Sequence, residues 1–246
     1  MATHAESEAA VKRDQRFMRS ALVMARRGLG LTAPNPSVGA VVVDDAGVII
    51  ARGVTQPGGR PHAERVALVK AGDRARGATL YVTLEPCSHH GKTPPCADAV
   101  IEAGIRRVVC GITDPHDVVA GEGLARLRAA GIEVVENVLA EECRFVTLGH
   151  ILRVTRQRPF VQLKLAVSHD GRIAPGTGHP VWVTGEAARM RGHLMRAEAD
   201  AILVGSGTLQ ADDPHLDCRL PGLAERSPWR VLLDSNLTLS PQHTLY

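Results

Sequence analysis

The stretch from His62 to Cys110, HAERVALVKAGDRARGATLYVTLEPCSHHGKTPPCADAVIEAGIRRVVC, decides the fold. HAERVALVKAG carries its apolar residues at helical spacing, and Gly72 is a stop signal. ATLYVTLEP reads as a buried strand, CADAVIEAG as a second helix and IRRVVCGI as a second strand. Strands and helices alternating in this order build an α/β sandwich on a partly parallel sheet.

Reading outward, AVVVDDAGVIIARG places β-branched runs on both sides of Asp44-Asp45-Ala46-Gly47, the pattern of a hairpin. Before it, a helical pattern opens at Asp14, runs through Phe17, Met18, Ala21, Leu22 and Ala25, and stops near Gly28. Residues 1–13 read as a flexible tail. Downstream, GEGLARLRAAG predicts a helix and IEVVENV a strand, so one domain is expected over 14–150. A basic linker follows over 151–158, and a second α/β block over 159–246. In that block FVQLKLAVSHDGRIA is strand-like, GEAARMRGHLMRAEA helical, DAILVGSGTL a strand entering a Gly-rich turn, and RVLLDS a strand.

Of the 246 residues, 44% are hydrophobic and 22% charged, the balance of a soluble globular chain large enough to need no disulfide staples. A net charge of +3 with 3% aromatic residues argues against a nucleic-acid binder, which usually shows a basic stripe and stacking aromatics. MATHAESEAA has no apolar run, so it is not read as a signal peptide, and no segment has the length of a membrane helix. Five irregularly spaced cysteines fit reduced thiols in a cytoplasmic protein. The sequence is compatible with a homo-oligomer.

His62 and Glu64 stand two residues apart at the start of a predicted helix, so both can point into one cleft. Pro86-Cys87 follows a predicted strand, and Cys96 opens the next helix. Helix N-termini favour thiolate. Hydrolytic zinc needs about three protein ligands, an open position and a carboxylate that moves protons. His62, Cys87 and Cys96 supply the ligands, and Glu64 the carboxylate. His-x-Glu followed by Pro-Cys and a further Cys is the order found in zinc deaminases, although their two cysteines stand closer together. His89 or His90 as a fourth ligand would instead close a structural site. With Lys92, these histidines also suit an anionic part of a substrate.

TAPNPSVGAVVV, HAE, TLEPCSHHGKTPPC, GITDPHDVVAGEG and AGIEV together resemble the deaminase half of the bifunctional riboflavin-biosynthesis deaminase/reductases. KLAVSHDGRIA, WVTG, LMRAEADAILVGSGTLQADDPHLDCR and VLLDS resemble the reductase half. The resemblance implies a cytidine-deaminase-like α/β/α sandwich followed by a partial dihydrofolate-reductase-like α/β domain. It implies loss of the 2-amino group from a diaminopyrimidinone bearing a ribosylamino 5′-phosphate, then NADPH-dependent reduction of the ribose to a ribityl chain. Zinc would sit on His62, Cys87 and Cys96, with Glu64 shuttling protons, Asn35 at the base, and His89 and Lys92 near the phosphate. In the reductase half the resemblance assigns NADPH contacts to Ala166, Trp182, Thr208, Asp212 and Ser235, and substrate contacts to Arg196 and Arg219. Pro180 replaces the usual serine and His116 the usual asparagine. The later Gly-rich stretch that completes the NADPH site has no counterpart, so the reductase half is expected to be its N-terminal part only and inactive alone. A deaminase of another nucleobase or of tRNA, and a non-catalytic zinc-stabilised module, are the alternative readings.

Overall fold

The computed structural model describes residues 4–91, 93–115, 120–173, 182–237, 240 and 242–245. The chain divides into two compact units, Met1–Phe160 and Val161–Tyr246.

In the first unit helix α1 (His4–Gly28) precedes the hairpin of β1 (Gly39–Val43) and β2 (Ile49–Val54). Helix α2 (Ala63–Ala71), β3 (Thr79–Val82), α3 (Cys96–Glu102), β4 (Arg107–Cys110), α4 (Glu122–Ala129) and β5 (Glu133–Val135) follow. Helices α5 (Ala140–Val146) and α6 (Leu148–Arg156) close the unit. The strands form one sheet in the order β2-β1-β3-β4-β5. β1 is antiparallel to both neighbours, whereas β3, β4 and β5 run parallel, with α3 and α4 as the crossovers.

Two glycines reveal the layering. Gly53 pairs with Ala40, next to Gly39, so Gly53 and Gly39 face opposite sides of the sheet. A Cβ on Gly39 would meet the α1 backbone at Ala21 O, 1.9 Å away, and one on Gly53 would meet the α2 backbone at Ala63 O, 2.0 Å away. Helices α1 and α2 therefore press directly on opposite faces, which makes the unit an α/β/α sandwich. Strand β1, between β2 and β3, is buried along its whole length. Below α1, the Asp14 carboxylate accepts two hydrogen bonds from Arg107 (2.8 and 2.9 Å) and one from Tyr81 Oη (2.9 Å).

The expected tail and linker are corrected here. Helix α1 starts at His4, not at Asp14, because the N-terminal turns carry helix formers and an exposed Lys12–Glu8 pair, one helical turn apart. They show no apolar stripe because they lie in solvent. Residues 151–156, expected as linker, belong to α6.

The second unit holds α7 (Glu186–Ala197), β6 (Ala201–Gly205), α8 (Ser206–Asp212) and β7 (Trp229–Leu233). β6 and β7 are parallel neighbours. The Gly-rich segment after β6 is the start of α8 instead of a turn, with Gly205 as its N-cap. The expected strand at 160–174 does not form over the described 160–173: Val161, Leu163, Leu165 and Val167 alternate as a strand would, yet all are exposed and no ladder partner adjoins them. No helix among the described residues is long and apolar enough to cross a membrane.

Candidate active site

His62 is the N-cap of α2, and Glu64 lies in its first turn. Close packing at Gly53 holds that turn against the sheet. Cys87 lies just past the end of β3, and Cys96 is the first residue of α3. The Ala97 amide donates to Cys87 O (3.1 Å) and the Cys96 amide to Cys87 Sγ (3.3 Å), so the loop between the cysteines is closed at its base. His62 Nδ1 lies 3.3 Å from Cys96 Sγ and 3.7 Å from Cys87 Sγ. Tetrahedral zinc, with bonds of about 2.05 Å to nitrogen and 2.3 Å to sulfur, requires a nitrogen–sulfur separation of about 3.6 Å. The donor set fits that ion.

These three side chains are the one metal-donor cluster among the described residues. His89 and His90 are exposed and lie outside it, so among the described residues the cluster offers three donors and no fourth. The Asn35 amide nitrogen donates to Gly59 O (2.9 Å) and lies 3.3 Å from His62 Nε2, bracing the imidazole from behind.

The electrostatics suit proton transfer. Burial pushes Glu64 up to about 7, opposed by the nearby His62. A hydrogen bond from Cys96, assisted by His62, holds Cys87 well below the usual thiol range. Cys96, donating to that thiolate, is pushed up. His62 is raised by its hydrogen bond to Cys87.

A cavity of about 190 Å³ opens over this group, lined by Asn35, His62, Glu64, Cys87 and His89. Roughly 150 Å³ suffices for a benzene-sized ring, so a pyrimidine fits. Of the expected site residues of the first unit, Asn35, His62, Glu64, Cys87 and His89 line one cavity, and Cys96 joins them through the donor cluster. Lys92 lies outside the described residues, as do His116 and Pro180.

Further residues to which the sequence assigned no role shape the cavity, among them Glu85, Asp114, His150, Arg60 and Arg153. Glu85, 4% exposed, accepts backbone N–H bonds from Asp114 (3.0 Å), Gly121 (3.0 Å), Gly123 (2.8 Å) and Leu124 (3.3 Å). It ties the segment before Cys87 to the start of α4. His150 Nε2 lies 3.1 Å from Asp114 Oδ1, and its buried Nδ1 has no hydrogen-bond partner among the described residues. Arg60 and Arg153 complete the wall.

In the second unit Arg196 and Arg219 meet: Arg196 donates to Asp217 O (2.9 Å), and Arg219 donates to the Asp217 carboxylate. Burial and the neighbouring Arg219 lower the pKa of Arg196. Trp182 is 78% exposed beneath the Arg189 guanidinium, so it is no core residue there. Thr208 and Asp212 share α8 and are exposed, as is Ser235, while Ala166 is half-buried. No hydrogen bond among the described residues joins these four to the arginine pair.

Residues 11–112 match the cytidine and deoxycytidylate deaminase zinc-binding region, a span that includes His62, Cys87 and Cys96, and residues 159–246 match the RibD C-terminal domain. The riboflavin biosynthesis protein RibD of Aquifex aeolicus is 46% identical over 91% of this chain and 62% of its own length. Among solved structures, a diaminohydroxyphosphoribosylaminopyrimidine deaminase/5-amino-6-(5-phosphoribosylamino)uracil reductase from Thermotoga maritima is 47% identical at a TM-score of 0.87, covering 95% of this chain and 66% of that one. RibD of Acinetobacter baumannii is 41% identical at a TM-score of 0.84, covering 96% and 67%. The chain thus spans about two thirds of the length of these relatives.

Proposed function

Because this chain belongs to the RibD family, we propose that its first unit is a zinc-dependent deaminase acting on a phosphoribosylated diaminopyrimidinone in riboflavin biosynthesis. The observation that carries this reading is the three-donor cluster of His62, Cys87 and Cys96 beside a buried carboxylate in a cavity of ring size.

His62, Cys87 and Cys96 would hold the zinc ion, which when bound supplies Lewis acidity toward water at neutral pH. Asn35, at the cavity wall, orients His62 and borders the ring. Ionised Glu64 takes a proton from the attacking water as its oxygen bonds to the ring carbon that carries the 2-amino group. Glu64 then delivers that proton to the departing nitrogen. The carbon–nitrogen bond breaks and ammonia leaves; the hydrogen of the new hydroxyl passes to the adjacent ring nitrogen as the carbonyl forms, so one water is consumed per ammonia released. A carboxyl held near 7 by burial suits both halves of this exchange. His89 and Lys92 flank the phosphate end of the substrate.

The second unit belongs to an NADPH-dependent reductase domain. Its Arg196 and Arg219, drawn together at Asp217, suit a phosphate, and Ala166, Trp182, Thr208, Asp212 and Ser235 are its cofactor-contact residues. All five cysteines are unpaired, which fits a cytoplasmic setting.

A substrate panel tests the deaminase reading. Ammonia release from the phosphorylated diaminopyrimidinone should exceed that from cytosine, guanine or tRNA by orders of magnitude. Preference for any of those three would replace the proposed substrate.

A further inference from the structure

We propose that Arg60 and Arg153 form a clamp for the phosphate of the deaminase substrate, an inference that rests on the deaminase reading above. Both arginines line the cavity, one from the segment before α2 and the other from α6. Arg107, Arg126 and Arg128 of the same unit each pair with a carboxylate, to Asp14, Asp98 and Glu136 respectively. Among the described residues, Arg60 and Arg153 pair with none.

The carboxylates of the cavity are already engaged. Glu85 is saturated by four backbone N–H groups, and Asp114 faces His150. Glu64 is buried beside the metal donors. Two guanidinium groups therefore border a ligand cavity with no ion-pair partner among the described residues. Arg60 is also held in place: its Nη1 donates to Thr93 Oγ1 (2.6 Å), fixing the guanidinium against the cysteine loop. Its Nη2 lies 3.2 Å from where a Cβ on Gly91 would stand, so a side chain at Gly91 would crowd the second arm. Thr93 adjoins Lys92, which places Arg60 beside the loop expected to meet the phosphate. A guanidinium presents a planar fork that matches phosphate oxygens. Two of them balance the charge of about −2 on a phosphate monoester near neutral pH.

The test replaces Arg60 and Arg153 by Gln, singly and together, and compares kcat/KM for the phosphorylated substrate with that for its dephosphorylated form. Losing one charge-assisted hydrogen bond of about 1.5–3 kcal/mol corresponds to roughly a 10- to 100-fold rise in KM. Each variant should raise KM for the phosphorylated substrate by about tenfold and lower the phosphorylated-to-dephosphorylated ratio in proportion, while retaining zinc and kcat. Lysine at either position should restore part of the loss. An unchanged ratio in the double variant, with ammonia still released, overturns the clamp and leaves the deaminase reading standing. Zinc loss from Arg60→Gln would mean that Arg60 serves the loop, and overturns its share of the clamp. Calorimetric titration with ribose 5-phosphate separates the two readings further. Binding by the unaltered protein that is lost in the double variant supports the clamp, even if no ammonia is ever released.

Discussion

Replacing Gly53 by Ala should dismantle the metal site from behind without touching a ligand. A Cβ at this position would stand 2.0 Å from Ala63 O and 2.7 Å from Ala67 N, both backbone atoms of α2. Ordinary contact begins near 3.4 Å, so the first turn of α2 must retreat by about 1.4 Å. His62 directly precedes Ala63, and Glu64 directly follows it. Metal ligands tolerate about 0.2 Å, and a displacement of about 1 Å costs on the order of a hundredfold in rate. Overpacking should also cost about 1–3 kcal/mol of stability. The assay is zinc per chain after gel filtration, with thermal unfolding and ammonia release on the same samples. Gly47→Ala is the control: its φ of 77° makes alanine strained, but nothing lies within 4 Å. It should lower stability by about 1–2 kcal/mol and leave zinc content alone. If Gly53→Ala keeps full zinc and full activity, the packing of α2 on β2 does not position the site.

Glu85→Gln should destabilise the protein by on the order of 3 kcal/mol, read from denaturant unfolding. Whichever way the amide turns, two buried N–H groups then face an NH₂ group; a loss below about 1 kcal/mol would contradict the role of Glu85 as the anchor of α4. Glu64→Gln should alter the pH dependence of stability in metal-free protein. Burial raises this carboxyl from 4.5 to about 7, so the folded chain holds the proton more tightly than the unfolded one. Its contribution is present below about 4.5 and is lost as pH rises through about 7. At pH ~8 the variant should gain roughly 3 kcal/mol over the unaltered protein, with little difference at pH ~4. Parallel stability curves would show that Glu64 is not strained by burial.

The αβαβ core was legible because apolar periodicity and stop glycines mark elements that bury one face. The donor cluster of His62, Cys87 and Cys96 was legible because the helix starts at His62 and Cys96 and the strand end before Cys87 are local features, and local features fix where side chains emerge. Other parts depended on contacts across the fold. Glu85 answers amides 29 to 39 residues away, a partnership that no spacing reveals. The first turns of α1 are solvated and lack a stripe. Helix α6 is half-exposed, so its segment read as linker, and Arg153 went unnoticed with it. The segment at 160–173 has the alternation of a strand, but a strand also needs a neighbour.

The central claim is that Glu64 moves protons at a site held by His62, Cys87 and Cys96. It is tested most directly by measuring ammonia release from the phosphorylated diaminopyrimidinone with zinc-loaded protein and with Glu64→Gln at equal zinc content. The account predicts one ammonia per substrate from the former and a loss of at least about a hundredfold in the latter, the scale of general acid–base catalysis. Equal rates, or no ammonia from protein carrying a full equivalent of zinc, would contradict it.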